Sequence, residues 1–193
     1  MTNRPERPSW EPFALATPGD RADLPRSLGT REGVADRLRT AAFAEIQARE
    51  AFLWAASRFT DAEPALQAAW LELSRQEDKH LNWLLQRMLE LDLDVRDRKV
   101  SDHLWVSLTS CSSAREFALF MANAEERGRK AGVRFYEALR TTDLITAQIF
   151  GKIAEEEVSH IALAQQFFTV LSDQPRQNAC RFDGASRQGV SRL

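Results

Sequence analysis

Two short stretches of the sequence pair a glutamate with a histidine three residues later. The stretch EDKH contains Glu77 and His80, and the stretch EVSH ends in His160 and includes Glu157. Residues three apart lie on one face of a helix, so each pair could direct a carboxylate and an imidazole at the same point. These groups are ligands for iron, manganese and other divalent transition metals. The two stretches are therefore candidates for two halves of one metal site.

Two further glutamates precede these pairs at equal distances. Glu45 precedes Glu77 by 77 − 45 = 32 residues, and Glu125 precedes Glu157 by 157 − 125 = 32 residues. The two sets are offset by 80 residues throughout, as 125 − 45 = 80 and 157 − 77 = 80. This regularity indicates a duplicated helical hairpin in which each copy supplies a glutamate and then Glu-x-x-His. It also favours Glu125 over its neighbour Glu126, which breaks the spacing.

All the candidate ligands fall on the apolar stripe of a predicted helix. They are Glu45, Glu77, His80, Glu125, Glu157 and His160. Carboxylates that face one another inside a helical bundle are costly unless cations neutralise them. Two divalent metals would supply that charge, and glutamate with imidazole suits iron or manganese better than it suits zinc–thiolate chemistry. The alternative is a helical bundle that has these residues but binds no metals. A single Glu-x-x-His pair, without the second one, would more simply be a solvated pair on a helix surface.

Helical periodicity begins near residue 30 and continues through most of the chain. We predict helices over about 31–59, 61–91, 113–140 and 144–171, with a long connection at 92–113 that carries a short helical piece at 104–108. Thr30 could cap the first helix, and capping-box patterns occur in TDAE at 60–63 and SARE at 113–116. The order hairpin, crossover, hairpin is that of an all-α four-helix bundle with one long connection.

The chain divides into an extended arm, a bundle and a tail. Residues 1–29 hold five of the seven prolines and predict an arm laid across the domain through Trp10, Phe13 and Leu15. The bundle is predicted over 30–172. The segment 173–193 has little apolar surface to bury and is predicted to be a mobile, disordered tail.

Composition narrows the functional classes. A length of 193 residues suits one domain, and a net charge of −2 argues against a nucleic-acid partner. No apolar run approaches the length of about 20 residues that spans a bilayer, and the first residues carry no secretory-type apolar stretch. Cys111 and Cys180 have no zinc-binding or redox spacing. We therefore expect no membrane partner and a reduced, cytoplasmic location.

The ligand pattern resembles that of the di-iron carboxylate proteins of the ferritin-like superfamily, which include rubrerythrins, bacterioferritins and bacterial multicomponent monooxygenases. More narrowly, a bacterial ferritin-like family of uncharacterised function with a proline-rich arm is similar in four stretches: LGTREGVADRLRTAAFAEIQAREAF, EDKHLNWLLQRMLELD, AEERGRKAG and EEEVSHIALAQQFF. The similarity covers about residues 5–170. It departs at Phe43, where a histidine is expected two residues before Glu45.

The resemblance implies a ferritin-like four-helix bundle that holds two iron ions, with manganese or a mixed iron–manganese pair as alternatives. It also implies a role for each candidate ligand. Glu77 and Glu157 would bridge both metals, Glu45 and Glu125 would be terminal ligands, and His80 and His160 would each bind one metal.

Three functions fit this reading. The first is a non-haem oxidoreductase that activates O2 or peroxide to oxidise or hydroxylate a small organic substrate, with an external electron donor. The second is peroxide or iron detoxification without an organic substrate, although the chain lacks the Cys-x-x-Cys pair of rubrerythrins. The third is a non-catalytic bundle that binds a partner through the arm and tail. Either a monomer or a homodimer is compatible with the sequence. We expect a substrate cavity to be lined by residues such as Phe52, Trp70, Phe120 and Phe150.

Overall fold

The computed structural model describes residues 6–17 and 24–168, and over these ranges the chain is helical apart from loops and one isolated β-bridge. Its five helices are α1 (Arg31–Arg58), α2 (Pro64–Glu90), α3 (His103–Leu108), α4 (Ala114–Leu139) and α5 (Leu144–Phe167). The predicted all-α class is confirmed, and four long helices with one short one fit a four-helix bundle. The predicted tail at 173–193 lies outside the described residues. None of the described helices is long and apolar enough to cross a membrane.

The helices α1 and α4 begin where their capping residues predict. The Thr30 hydroxyl accepts a hydrogen bond from the backbone N–H of Gly33 at 3.0 Å. The Ser113 hydroxyl accepts one from the N–H of Glu116 at 3.2 Å. The Glu116 carboxylate reaches back to Ser112 instead of Ser113, accepting from its N–H at 2.7 Å. Both helix starts thus have side-chain acceptors for otherwise unpaired N–H groups.

The helix α2 begins at Pro64, so the predicted start near residue 61 and the capping box at 60–63 are wrong. Glu63 is the capping residue, and its side chain makes no capping hydrogen bond. Its backbone is extended, with ψ of 135°, because the ring of a following proline disfavours the helical region. Proline itself is well placed at the first helical position, where no N–H is needed.

The long helices pack as two hairpins, α1 with α2 and α4 with α5. The loops within the hairpins are short, at 59–63 and 140–143, which makes the paired helices antiparallel neighbours. Gly132 lets α4 approach α5 closely, since a Cβ atom there would lie 3.1 Å from the carbonyl oxygen of Phe150. The two predicted hairpins are therefore present.

Contacts at both ends of α1 show that α1 and α4 run antiparallel. Near the start of α1, the Arg37 guanidinium lies 5.8 Å from the ring centroid of Phe135, late in α4. Near the end of α1, the Phe52 ring lies 6.1 Å from that of Phe117, early in α4. This pairing brings the middles of α1 and α4 together, where each carries one of the candidate glutamates.

The crossover between the hairpins is held on α1 by a buried arginine. Arg39 is 2 % exposed and donates to the carbonyl oxygens of Asp94 at 2.8 Å and Val95 at 2.9 Å. It also pairs with Asp36 at 3.1 Å. The guanidinium thus provides hydrogen-bond donors for two carbonyl oxygens of the crossover.

The described part of the N-terminal arm packs on α1 and α3. Trp10 and Phe13 are buried, and their rings lie 5.6 and 5.0 Å from the ring of Phe43. The backbone around Leu15 pairs with Val100 of the crossover. Phe43, at the position where the resemblance leads one to expect a histidine, is therefore an anchor for the arm.

Candidate metal centre

The four long helices bring all the candidate ligands to one place. Two groups form there, and in each group one ligand atom per residue lies within 4.8 Å of the others. The first group consists of Glu45, Glu77, His80 and Glu157, and the second of Glu77, Glu125, Glu157 and His160. Glu77 and Glu157 belong to both groups. Each group could hold a metal ion, with two carboxylates common to the pair.

The distances between donor atoms are those of ligands around common ions. Nδ1 of His160 lies 2.8 Å from Oε1 of Glu77 and 3.3 Å from Oε2 of Glu157. Nδ1 of His80 lies 3.5 Å from Glu157, 3.6 Å from Glu77 and 3.9 Å from Glu45. Two ligands at about 2.1 Å from an octahedral ion and at right angles lie roughly 3 Å apart. The cluster therefore has nearly the spacing that an ion would impose.

Many buried polar atoms of the cluster have no hydrogen-bond partner. They are both carboxylate oxygens of Glu77, one oxygen each of Glu125 and Glu157, and Nδ1 of His80 and of His160. Leaving a buried polar atom unpaired costs about 1–3 kcal/mol, and more when it is charged. Divalent cations would satisfy all of these atoms at once, so the donor set fits a dinuclear metal site.

The outer nitrogen of each histidine is hydrogen-bonded away from the cluster. Nε2 of His80 lies 2.8 Å from Oε2 of Glu156, and Nε2 of His160 lies 2.8 Å from Oε1 of Gln76. Because both partners are oxygen acceptors, Nε2 carries the proton and Nδ1 presents its lone pair inward when the ring is neutral. These two partners orient the imidazoles as ligands.

Sequence analysis missed these histidine partners, because neither Gln76 nor Glu156 belongs to the Glu-x-x-His pattern. Gln76 and Glu156 are themselves separated by 156 − 76 = 80 residues, so the repeat spacing could have identified them. In contrast, Glu126 faces outward and pairs with Arg129 at 2.6 Å. The choice of Glu125 over its neighbour agrees with this geometry.

When no cation is present, electrostatic interactions favour the protonated forms of Glu45, Glu125 and the two histidines. Burial and the nearby carboxylates of Glu77 and Glu157 raise the pKa of Glu45 well above its usual value. Burial and the Glu157 carboxylate do the same to the pKa of Glu125. Both groups therefore favour the neutral carboxylic acid.

The pKa values of the two histidines are also raised, but here protonation gives the charged form of the side chain. Burial disfavours an imidazolium, but the Glu157 and Glu77 carboxylates outweigh it and raise the pKa of His80 to about 9. The same balance raises the pKa of His160 to about 10. Protons would thus compensate the carboxylate charge in the metal-free cluster, as metal cations would in the loaded cluster. Protons and metal ions therefore compete for the same ligand atoms.

A largely apolar cavity of about 330 Å³ lies beside the cluster, between α1, α4 and α5. Three of the cluster carboxylates, Glu45, Glu125 and Glu157, form part of its wall. Of the aromatic residues predicted to line it, only Phe150 does so.

The predictions for Phe52, Trp70 and Phe120 are wrong for this cavity. Phe52 and Trp70 are buried and line, together with His160, a separate small pocket, and Phe120 is 36 % exposed. Helical periodicity gives the face on which a residue lies, but not which part of the bundle interior is left open as a cavity.

The chain belongs to the family described as a protein of unknown function (DUF455), whose model matches residues 1–188. No curated protein matches the chain, and no solved structure matches it. The family description carries no activity, so the chemistry of the cluster and its cavity is the basis for a functional assignment.

Proposed function

We propose that this chain is a ferritin-like dinuclear metal protein, and that it is a non-haem oxidoreductase that uses O2 or peroxide to oxidise a small organic substrate. The observation that carries the proposal is the pair of donor groups that have Glu77 and Glu157 in common and contain unpaired buried atoms. The metals proposed are two iron ions, with manganese or a mixed pair as alternatives. An external electron donor would complete the cycle.

Each candidate ligand receives a role in this proposal from its membership of the two donor groups. Glu77 and Glu157 would bridge, Glu45 and His80 would complete one metal, and Glu125 and His160 would complete the other. A bound pair of such metals supplies the electrons and the Lewis acidity for reaction with oxygen or peroxide.

The protein contributes orientation and exclusion of water. Gln76 and Glu156 hold the two imidazoles by their outer nitrogens, which fixes the direction of each ligand lone pair. Glu77 and His80 are 0 % exposed, so bulk water has no direct access to them. The cavity borders Glu45 and other carboxylates but neither histidine, so a substrate would approach from the carboxylate side.

The cavity also favours an organic substrate over the second candidate, peroxide or iron detoxification. Detoxification needs the same metal ligands but has no use for an apolar space of about 330 Å³ beside them. We further propose a cytoplasmic location, where the buried free thiol of Cys111 would stay reduced.

The test begins with metal content. Protein from its native host, and protein loaded anaerobically with ferrous iron, should contain two metals per chain by elemental analysis. Addition of O2 to the ferrous protein should consume oxygen and produce a transient absorption band. The variants Glu77→Gln and Glu157→Gln should lose at least one metal. Glu126→Gln is the matched control, because its carboxylate pairs with Arg129 outside the cluster.

Two results would overturn the proposal. One is a chain that binds neither iron nor manganese under these conditions. The other is full metal content and unchanged oxygen uptake in both bridging variants. Equal loss of metal in Glu126→Gln would instead show that the 80-residue spacing had selected the wrong glutamate.

A further inference from the structure

The cavity beside the cluster carries a positive charge in its wall, at Arg37. The Nη1 atom of Arg37 is buried and has no hydrogen-bond partner. Nη2 donates to the carbonyl oxygen of Arg26 at 3.2 Å, and the guanidinium lies 5.8 Å from the centroid of the Phe135 ring, which also lines the cavity. Among residues 6–17 and 24–168, no carboxylate forms an ion pair with Arg37. The Arg37 guanidinium thus lines the cavity without a carboxylate partner.

The stretch of cavity between Arg37 and the cluster is lined mainly by small side chains. The lining residues with no side chain beyond a methyl group include Ala41, Ala44, Ala48, Ala124, Gly128 and Ala131. Such walls offer no hydrogen bond to a ligand and favour an apolar body. The cavity therefore combines an arginine, an apolar middle and the carboxylate side of the cluster.

The length of this space can be read along α1. Arg37 and Glu45 are 45 − 37 = 8 residues apart, and at 1.5 Å per residue their helical positions differ by about 12 Å. With carbon–carbon bonds of about 1.5 Å, a zigzag chain advances about 1.25 Å per bond, so eight to ten carbons span roughly 9 to 11 Å and the anionic head covers the remainder. The cavity volume of about 330 Å³ lies at the small end of ligand sites.

We propose that this cavity binds a monoanion with an apolar chain of roughly eight to ten carbons, its anionic head on the guanidinium of Arg37 and its far end against Glu45, Glu125 and Glu157. The assignment of the far end as the position to be oxidised rests on the proposed function, whereas the binding itself does not. The head is placed at Arg37 because a carboxylate there gains a charge-assisted hydrogen bond and is kept from the cluster carboxylates.

The test compares octanoate with 1-octanol, which has the same chain without the charge, by isothermal titration calorimetry on the metal-loaded full chain. Octanoate should bind more tightly. The variant Arg37→Gln should weaken octanoate binding by roughly ten- to a hundred-fold, the range expected for one hydrogen bond to a charged group, and leave 1-octanol binding unchanged. Arg134→Gln is the matched control, because Arg134 is an exposed arginine of α4 outside the cavity wall.

A second variant tests the space instead of the charge. Ala131→Leu should fill part of the cavity and weaken the binding of both octanoate and 1-octanol. Hexadecanoate, with twice the chain length, should bind more weakly than octanoate. Retained metal content and an unchanged circular dichroism spectrum would show that these variants fold.

Several outcomes would overturn the inference. One is equal binding of octanoate and 1-octanol. Another is octanoate binding that Arg37→Gln leaves unchanged but metal removal abolishes, because this result would place the head group on the metals. Metal content is measured on the same samples. A sample with two metals and no octanoate binding contradicts this inference alone, whereas Arg37-dependent binding in a chain that takes up no metal contradicts only the proposed function.

Discussion

The two hairpins, α1–α2 and α4–α5, are alike at the cluster and differ away from it. At the cluster they supply equivalent donors at the 80-residue offset, and even the histidine partners Gln76 and Glu156 correspond. Elsewhere along the α1–α4 interface, equivalent positions diverge. Phe52 corresponds to Gly132, since 132 − 52 = 80, and Arg37 corresponds to Phe117, since 117 − 37 = 80.

This divergence gives the bundle an aromatic end and a cavity end. We define the aromatic end as Phe52, Trp54, Phe59, Trp70 and Phe117, whose neighbouring rings have centroids 5.4 to 6.2 Å apart. The cavity end consists of Arg37 and the small and aromatic residues around it that line the cavity. A duplicated fold can thus keep a symmetric set of residues at its centre while its two ends differ. One end is packed with aromatic side chains, and the other encloses a cavity.

The largest expected effect concerns the centre, where the hairpins are alike. In the metal-free protein, Glu45, Glu125, His80 and His160 have raised pKa values. The folded chain therefore holds protons that the unfolded chain releases, on the glutamates from pH 4.5 upward and on the histidines between pH 6.5 and about 9. Stability from the histidines is fully present below their unfolded pKa and is lost as pH rises through the folded pKa. Each such proton changes the free energy of unfolding by about 1.4 kcal/mol per pH unit.

Thermal melts from pH 5 to 9 test this expectation. The melting temperature of the metal-free protein should fall steadily as pH rises, and that of the manganese-loaded protein should change little above pH 6.5. Metal loading at pH 7 should also release protons, which calorimetry in buffers of different ionisation enthalpy detects. A melting temperature of the metal-free protein that rises from pH 5 to 9 would contradict the expectation that the folded cluster holds more protons than the unfolded chain.

The next effect distinguishes the two ends by removing a ring from each. Phe117 is 0 % exposed and contacts the other rings of the aromatic end, so Phe117→Ala should lower the free energy of unfolding by about 3–5 kcal/mol. Phe135→Ala is the matched change at the cavity end, where the ring is only half-buried and borders empty space. Urea denaturation should show less than half the loss for Phe135→Ala, and equal losses would remove the distinction between the ends.

A matched addition of volume should give opposite signs at the two ends. Ala51 and Ala131 are equivalent, since 131 − 51 = 80, but Ala51 is 0 % exposed and Ala131 lines the cavity. Ala51→Leu should overpack the interior and destabilise by about 1–3 kcal/mol. Ala131→Leu should be neutral or stabilise by up to about 2 kcal/mol, as cavity-filling changes often do. Denaturation midpoints measure both variants, and a comparable loss in Ala131→Leu would show that the cavity end is packed.

The smallest expected effect sharpens the one difference within the centre. His80 has a carboxylate partner, Glu156, whereas His160 has the amide of Gln76. Glu156→Gln makes the two halves alike and should weaken metal binding on the His80 side by about ten-fold, the lower range for such partners. Chelator competition measures this affinity. Glu155→Gln, a neighbouring exposed glutamate, should leave it unchanged.

A feature could be predicted from the sequence where it depends on the spacing of residues along a single helix. The centre could be predicted because its donors recur at fixed intervals on helices, and the starts of α1 and α4 because Thr30 and Ser113 are capping residues. The start of α2 was missed because Pro64 and its effect on the preceding residue override the capping pattern. Phe120 was misplaced because an apolar stripe does not reveal how deeply each member is buried.

The sequence by itself determined the helical class, the two hairpins and the glutamates and histidines that meet in the cluster, because periodicity and a constant offset can be recognised without knowledge of the packing. Only the tertiary structure decided which end of the bundle is filled. Arg37 and Arg39 illustrate the reason, since they lie two residues apart on α1. Arg39 pairs with Asp36 and donates to carbonyl oxygens of the crossover, whereas Arg37 lines the cavity and has one buried donor without a partner. That difference depends on which distant segment covers each face of the helix.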